Sequence, residues 1–507
     1  MSGPELSRVG SSIRGPRLQA HSHAQQVGSL TEARDRILTY EACLEIVERV
    51  RRFARGGGDT GVRVLSWWHG ELRWARNRVT LASDRTDISV TVWREVHNGT
   101  RGSVTTNQID DASLEAAVRA AERRSRLGAG AGRGIGFHPP LPQYGRVAET
   151  AIWSDETYGL TAEQRAEVAQ TMTSQAEAAG FVSAGYVEAR AAAMVYMDTA
   201  FPELRTGEYA FWERPYVRWT QAQCSTTVRD LKGRGSGWAG GSSFDWGRID
   251  VAALVTKALE KCRASRDPVA LEPGRYTVIL EPQAVADLLE MLVPSFHREP
   301  PEQGPFGPWH LGYDSALRLR RSKLGLRVAD ERITIRHDPA DPDLGIVMSP
   351  LEWPGSVTWI ENGVLTALGH QFDTALEKLE GWHRLRGPTG YRMEGGETSV
   401  DEMIRTTRRG LLVTRLSNLI KLDNESVLST GLTRDGLWLI ENGQITHAVK
   451  NFRFTESPLF MLNNVEQIGT PVPVFRPTRE AGGQLTPAIV PPLKVREFSF
   501  TSLIDAI

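Results

Sequence analysis

Cysteine is scarce in this chain. Its 507 residues include three, Cys43, Cys224 and Cys262, an odd number at wide spacings. No disulfide framework, zinc ribbon or CxxC redox pair can be built from them, so they read as reduced, structural thiols. Net charge is equally scarce. Lys plus Arg number 60 and Asp plus Glu 61, a formal −1, so no global field draws the chain to nucleic acid or to an anionic membrane. No apolar run reaches the length of about 18 residues that a spanning helix needs. The N-terminus lacks an apolar signal core, and the expected compartment is the cytoplasm. Also missing are the Gly-Lys-Ser/Thr ending of a phosphate loop and the Gly-x-Ser-x-Gly elbow of a serine hydrolase.

What remains is ordinary globular material. Apolar residues make up 40% and charged residues 24%, and the length suits two to four domains at about 150 residues each. Residues 1–30, rich in Ser, Gly, Arg and His, read as a disordered leader, and His21 and His23 as free of metal. Leu44, Val47, Val50 and Phe53 recur at helical spacing and predict a helix over Tyr40–Ala54. Val62–Trp68, Leu72–Leu81, Ile88–His97 and Thr100–Thr106 alternate as strands, with Asn98-Gly99 as a tight turn. A helix capped by Asp110 or Asp111 follows, and the Gly/Pro-rich stretch 131–152 reads as a linker. Thr161-Ala162-Glu163-Gln164 is a capping box that opens a helix to about Ala179. Strand-like runs come next at Phe181–Ala189, Ala193–Met197, Glu208–Trp212 and Tyr216–Val228. The glycine-dense segment Gly233–Gly241 reads as a mobile loop, and Ile249–Arg263 as a helix.

The last part opens on a turn at Glu272-Pro273-Gly274 and a strand over Tyr276–Leu280. A helix over 282–296 starts with Pro282 and carries Val285, Leu288, Leu289 and Leu292 in one stripe. Trp359–Leu365 and Leu439–Ile445 each set Asn-Gly between apolar runs, one hairpin used twice. Ser399 opens a short helix ended by Gly410. Trp67, Trp68, Trp74 and Trp93 read as core or interface packing, and Arg318, Arg320, Arg321, Lys323 and Arg327 as a solvated helix face. The expected fold class is α+β. A leader (1–30) precedes an N-terminal α+β domain (31–130), a linker (131–152), a central antiparallel-sheet domain with helices (153–266) and a C-terminal β-rich, barrel-like domain (267–507).

Several long segments resemble the TldD/PmbA family. They are Gly395-Glu397-Thr398-Ser399 through Arg409-Gly410-Leu411-Leu412-Val413-Thr414-Arg415, Thr430–Gly436, Val449–Phe454, and Asn463-Asn464-Val465-Glu466 with Ile468-Gly469. The turn Leu271–Tyr276 and the hairpin-helix unit at 88–127 are similar too, so the resemblance covers about residues 40–505. It implies a zinc metallopeptidase acting on unfolded peptides, usually a heterodimer. A TldD-like subunit holds zinc with a HExxxH helix and a cysteine near its C-terminus. A TldE (PmbA) like subunit shares the fold and lacks the ligands. The peptide is expected to lie along a strand edge inside a closed interior.

The chemistry needs soft ligands around one metal and a carboxylate to take a proton from bound water. If His297 stands at the first His of that motif, Arg298 takes the Glu place and Glu302 the second His place. Pro300 and Pro301 keep His297 and Glu302 off a shared helical face, and no cysteine follows Cys262. His297 and Glu302 are therefore only weak metal candidates. His310, His337, His370, His383 and His447 show no metal spacing with another His or Cys. No catalytic residue is assigned. The segment Glu299–Trp309 reads as a loop at the mouth of the interior. The expectation is a TldE-like subunit without zinc, paired with a TldD-like partner that carries it, trimming unfolded peptides or a biosynthetic precursor peptide. The alternative is a non-catalytic homodimer of the same fold that binds a peptide or client. Neither membrane nor direct nucleic-acid contact is expected.

Overall fold

The computed structural model describes residues 36–97, 100–128, 152–199, 216–232, 235–298, 307–314, 319–346, 356–370, 382–383, 390–476 and 486–504. The expected leader 1–30, residues 131–151 of the linker, the Asn98-Gly99 turn and the Glu208–Trp212 run lie outside them. The fold is α+β.

Alternating apolar residues build the first layer, an antiparallel sheet. Its strands are β1 (Asp59–Ala75), β2 (Arg78–His97), β3 (Thr100–Thr106), β4 (Val182–Asp198), β5 (Tyr216–Arg229) and β6 (Ser236–Ser243), in the order β3-β2-β1-β4-β5-β6. The stretches 31–130 and 153–266, expected as two domains, thus place strands in one sheet. The run Leu72–Leu81, expected as a strand, instead folds back in its middle. Arg76 and Asn77 sit at φ 52° and 59°, and asparagine tolerates that region. The Asn77 side chain then accepts from Ser183 N–H at 2.6 Å and donates to the Phe181 carbonyl at 3.0 Å. Phe181–Ala189 and Ala193–Met197 are parts of one strand, β4.

Four helices cover one face of this sheet: α1 (Tyr40–Phe53), α2 (Asp111–Gly128), α3 (Ala162–Ala178) and α4 (Val251–Ala264). Side chains cap all four, at Asp110 and the Thr161 box as the sequence predicts. Thr39 accepts from Ala42 N–H, Asp110 from Ser113 N–H, and Asp250 from Ala253 N–H, while Thr161 and Gln164 form the reciprocal box. Val62, Val64, Leu72 and Trp74 of β1 point into the helices. Trp67 and Trp93 are partly buried, and Trp68 is buried.

The described part of Gly233–Gly241 is strand β6, not a mobile loop. Its glycines answer a packing need. A Cβ on Gly237 would lie 2.1 Å from the Ala258 carbonyl and 2.4 Å from Cys262 N, so the bare backbone lets α4 lie directly on the strand.

The second layer is β-rich. β7 (Gly274–Leu280), β8 (Arg409–Lys421), β9 (Ser429–Glu441), β10 (Phe452–Glu456) and β11 (Leu493–Leu503) pair in a closed ring, a five-stranded barrel. Closure leaves no free edge along these pairings. Helix α5 (Pro282–Leu289) lays Val285, Leu288 and Leu289 into the core shared with the barrel. It is shorter than the expected 282–296. Val293–Phe296 is a 3-10 turn, because Pro294 has no N–H to continue the ladder and restricts Val293. A second sheet flanks the barrel with edge strands Val364–Leu365 and Val472–Pro473. Both Asn-Gly hairpins form, with Asn362-Gly363 at φ 48° and 78° and Asn442-Gly443 at 51° and 81°. The helix after Ser399 ends at Arg405, and Gly410 lies in β8. The basic stretch is not a helix face: Leu319–Ser322 is a strand paired with His310–Asp314.

Gly237→Val forces α4 off β6. The melting temperature should fall by about 5 °C or more, read by calorimetry or circular dichroism.

Candidate functional site

The sheet and the barrel meet along β6, α4, α5 and β8. Asp435 of β9 sits at φ 55° and is buried at the seam. It accepts from Ser236 Oγ at 2.6 Å and pairs with Arg415 at 3.6 Å. The Arg415 guanidinium lies 4.4 Å from the Trp238 ring centroid. On the other side of Trp238 stands Phe475, with ring centroids 5.6 Å apart and edge to face. Gln283 holds Phe475 in place. Its amide donates to the Phe475 carbonyl and its oxygen accepts from Phe475 N–H, both at 3.1 Å. Beside these groups opens a cleft of about 110 Å³, bounded by Trp238, Gly240, Lys257, Lys261, Glu281 and Phe475 among others. Lys261 Nζ donates to Glu281 Oε2 at 2.6 Å and to Thr414 Oγ1 at 3.1 Å. Burial pulls its amine below the usual lysine range, against the Glu281 charge.

Helix α5 is where the resemblance points for metal chemistry, and the described residues do not fit a site of that type. The α5 segment itself contains no histidine. His297 comes after the 3-10 turn, in extended backbone that pairs with Gly369. His383 pairs with the same glycine from the far side. Thus the backbone register sets His297 and His383 in one row about Gly369, a relation that sequence spacing does not reveal. Glu302 and most of the Glu299–Trp309 segment lie outside the described residues. His337 is buried, with Nδ1 2.9 Å from the Gly390 carbonyl, and burial lowers its pKa. His447 is exposed on a strand. The cysteines are buried in α1, β5 and α4, and burial pushes their thiols up to about 12, about 12 and about 11 for Cys43, Cys224 and Cys262. Such thiols are inert as nucleophiles and ligands. Among the described residues no group of three or more His, Cys, Asp or Glu converges as a metal site.

What α5 offers instead is carboxylates. Asp287 accepts from Leu416 N–H at 2.9 Å and from the Gln283 amide at 2.8 Å. Glu290, just past the helix, pairs with Arg476 at 2.5 Å. Burial pushes the Asp287 carboxyl up to about 6, even with Arg415 nearby. A lone Asp facing into an apolar helix was the visible signal of this role. Trp238, Phe475 and Asp435 carried no comparable signal.

The sheet face opposite the helices carries a second polar group. His69 Nε2 lies 3.1 Å from Glu188 Oε2, and Arg190 is 3.3 Å from the same carboxylate. Burial raises the Glu188 pKa, and the His69 hydrogen bond with the Arg190 charge outweighs it, so the group sits below its usual range. Tyr186 donates to Gln223 at 3.2 Å. His69, Glu188 and Gln223 are buried, and the network binds its own members more than it presents a reactive atom.

Residues 273–502 match the family model of the PmbA/TldA metallopeptidase C-terminal domain. Solved structures match over nearly the whole chain. A Thermotoga maritima protein provisionally described as a modulator of a DNA gyrase is 16% identical, with TM-score 0.70, covering 91% of this chain and 100% of that one. TldE from Thermococcus kodakarensis is 15% identical, with TM-score 0.68, covering 90% and 99%. A Bacteroides thetaiotaomicron protein, also provisionally described as a modulator of DNA gyrase, is 16% identical, with TM-score 0.70, covering 92% and 100%. No curated protein sequence matches the chain significantly. No helix among the described residues is long and apolar enough to cross a membrane.

A carboxyl with a raised folded pKa binds its proton more tightly folded than unfolded, so this group's contribution to stability falls as pH rises from about 4 to 6. Asp287→Asn removes that titration. Its melting temperature relative to the parent protein should shift in the variant's favour from pH 4 to pH 7.

Proposed function

We propose that this chain, a member of the TldD/PmbA family by its C-terminal domain and fold, is a TldE-like subunit that holds no zinc and completes a TldD/TldE-type metallopeptidase. The observation that carries this reading is the course of the backbone after α5. A HExxxH site needs two imidazoles one turn apart on a helix, and here the helix ends at Leu289 and the chain runs through a 3-10 turn before the first histidine, His297, which lies in a strand. The buried, high-pKa thiols support it, since none can serve as a thiolate ligand near α5. The zinc and the proton transfers then belong to a TldD-like partner. This chain contributes a wall of the interior and contacts to an extended peptide, either an unfolded peptide or a precursor peptide of a biosynthetic pathway, in the cytoplasm.

The test is the zinc-to-protein ratio of the purified chain by elemental mass spectrometry after dialysis, together with its peptidase activity. The expected ratio is below about 0.1, with chelator-sensitive cleavage arising only when a TldD-like subunit is added. A ratio near one with activity in the chain alone would overturn the proposal. His297 and His383 would then be the first residues to substitute.

A further inference from the structure

The cleft beside Trp238 lies between two sheet edges. β6 is the terminal strand of the first sheet, and Val472–Pro473 is the terminal strand of the sheet flanking the barrel. Both edges line it. Gly240 lets the two rings lie against β6, because a Cβ there would lie 2.7 Å from the Trp238 ring and 3.0 Å from Phe475. Leu254, Pro282 and Val474 add apolar wall, and Gln283 a polar one.

The charges in this cleft do not cancel. Lys261 is held by Glu281. Lys257, one helical turn earlier on α4, is exposed and has no ion-pair partner among the described residues. Two ammonium groups and one carboxylate leave one positive charge over an apolar, aromatic pocket. The space of about 110 Å³ equals that of roughly four waters at about 30 Å³ each, enough for a carboxylate with a small side chain.

We propose that this cleft binds the carboxyl-terminal residue of an extended peptide, its carboxylate on Lys257 and its last side chain against Trp238 and Phe475. The end of a peptide fits for two reasons. A free ammonium favours a carboxylate, and the aromatic wall favours an apolar side chain. Lys261 acts as support, since its donors already hold Glu281 and Thr414. The peptide as ligand rests on the function proposed above. The site itself does not, because binding is measured on this chain without partner or zinc.

The experiment is fluorescence anisotropy of the full chain with an N-terminally labelled Gly-Ala-Val-Leu peptide, as free acid and as C-terminal amide. The free acid should bind at least about tenfold more tightly than the amide, and added salt should shrink that ratio. Lys257→Gln should bring the ratio close to one. Gly240→Ala, whose methyl displaces the Trp238 and Phe475 rings, should weaken acid and amide alike by about tenfold or more. Failure of either peptide to bind, equal binding of both, or a preference that survives Lys257→Gln would overturn the proposal. Each result is independent of the zinc ratio, so the two proposals can fail separately.

Discussion

The fold depends on a bridge in which one residue serves both halves of the molecule. Asp435 holds Ser236 of the sheet through a hydrogen bond and Arg415 of the barrel through an ion pair. It does so from a left-handed backbone position, followed by Gly436 at φ 136°. A buried carboxylate whose partner is removed costs about 3–5 kcal/mol, so the two interactions are interdependent. Arg415 then stacks on Trp238, and Trp238 faces Phe475. This chain of contacts sets the distance between β6 and the barrel, and with it the existence of a cleft there.

The reactive groups of the chain are put to structural use. Asp287, the polar residue facing the α5 core, is committed to the amide of Leu416, which follows a register break between Val413 and Arg415 in β8. Pairing of β8 with β7 stops at Val413, and a buried amide beyond that point needs an acceptor. Glu290 is committed to Arg476, whose backbone N–H in turn donates to Ser242 of β6 at 3.2 Å. Helix α5 is thus tied by carboxylates to both the barrel and the sheet. In the cleft, by contrast, Lys257 remains unpaired among the described residues.

The sequence displays what is decided within a few residues. The Thr161–Gln164 capping box, the cap supplied by Asp110, the two Asn-Gly hairpins and Pro282 at the start of α5 all stand where local chemistry puts them. Long-range pairing is what local patterns miss. Nothing in the spacing of Leu72–Leu81 announces a turn at Arg76-Asn77, because the asparagine's partners, Phe181 and Ser183, lie 104 and 106 residues away. The glycines of β6 resemble a loop until α4 is placed on them. The cleft was not legible in the sequence, because it needs residues from β6, α4, α5 and the segment at 472–475 at once.

Packing and polar chemistry occupy separate positions on helix α5. A metal site on a helix constrains two side chains one turn apart, and those residues need not belong to the packing stripe. In α5 the stripe of Val285, Leu288 and Leu289 is intact and fully buried. The polar positions beside it carry hydrogen bonds to β8 and to Phe475. Packing and these hydrogen bonds together hold the helix against the barrel. The segment after it passes through a 3-10 turn that holds Pro294 and enters a strand at His297. Beside the helix lies the cleft, with Lys257 and the rings of Trp238 and Phe475 in its lining.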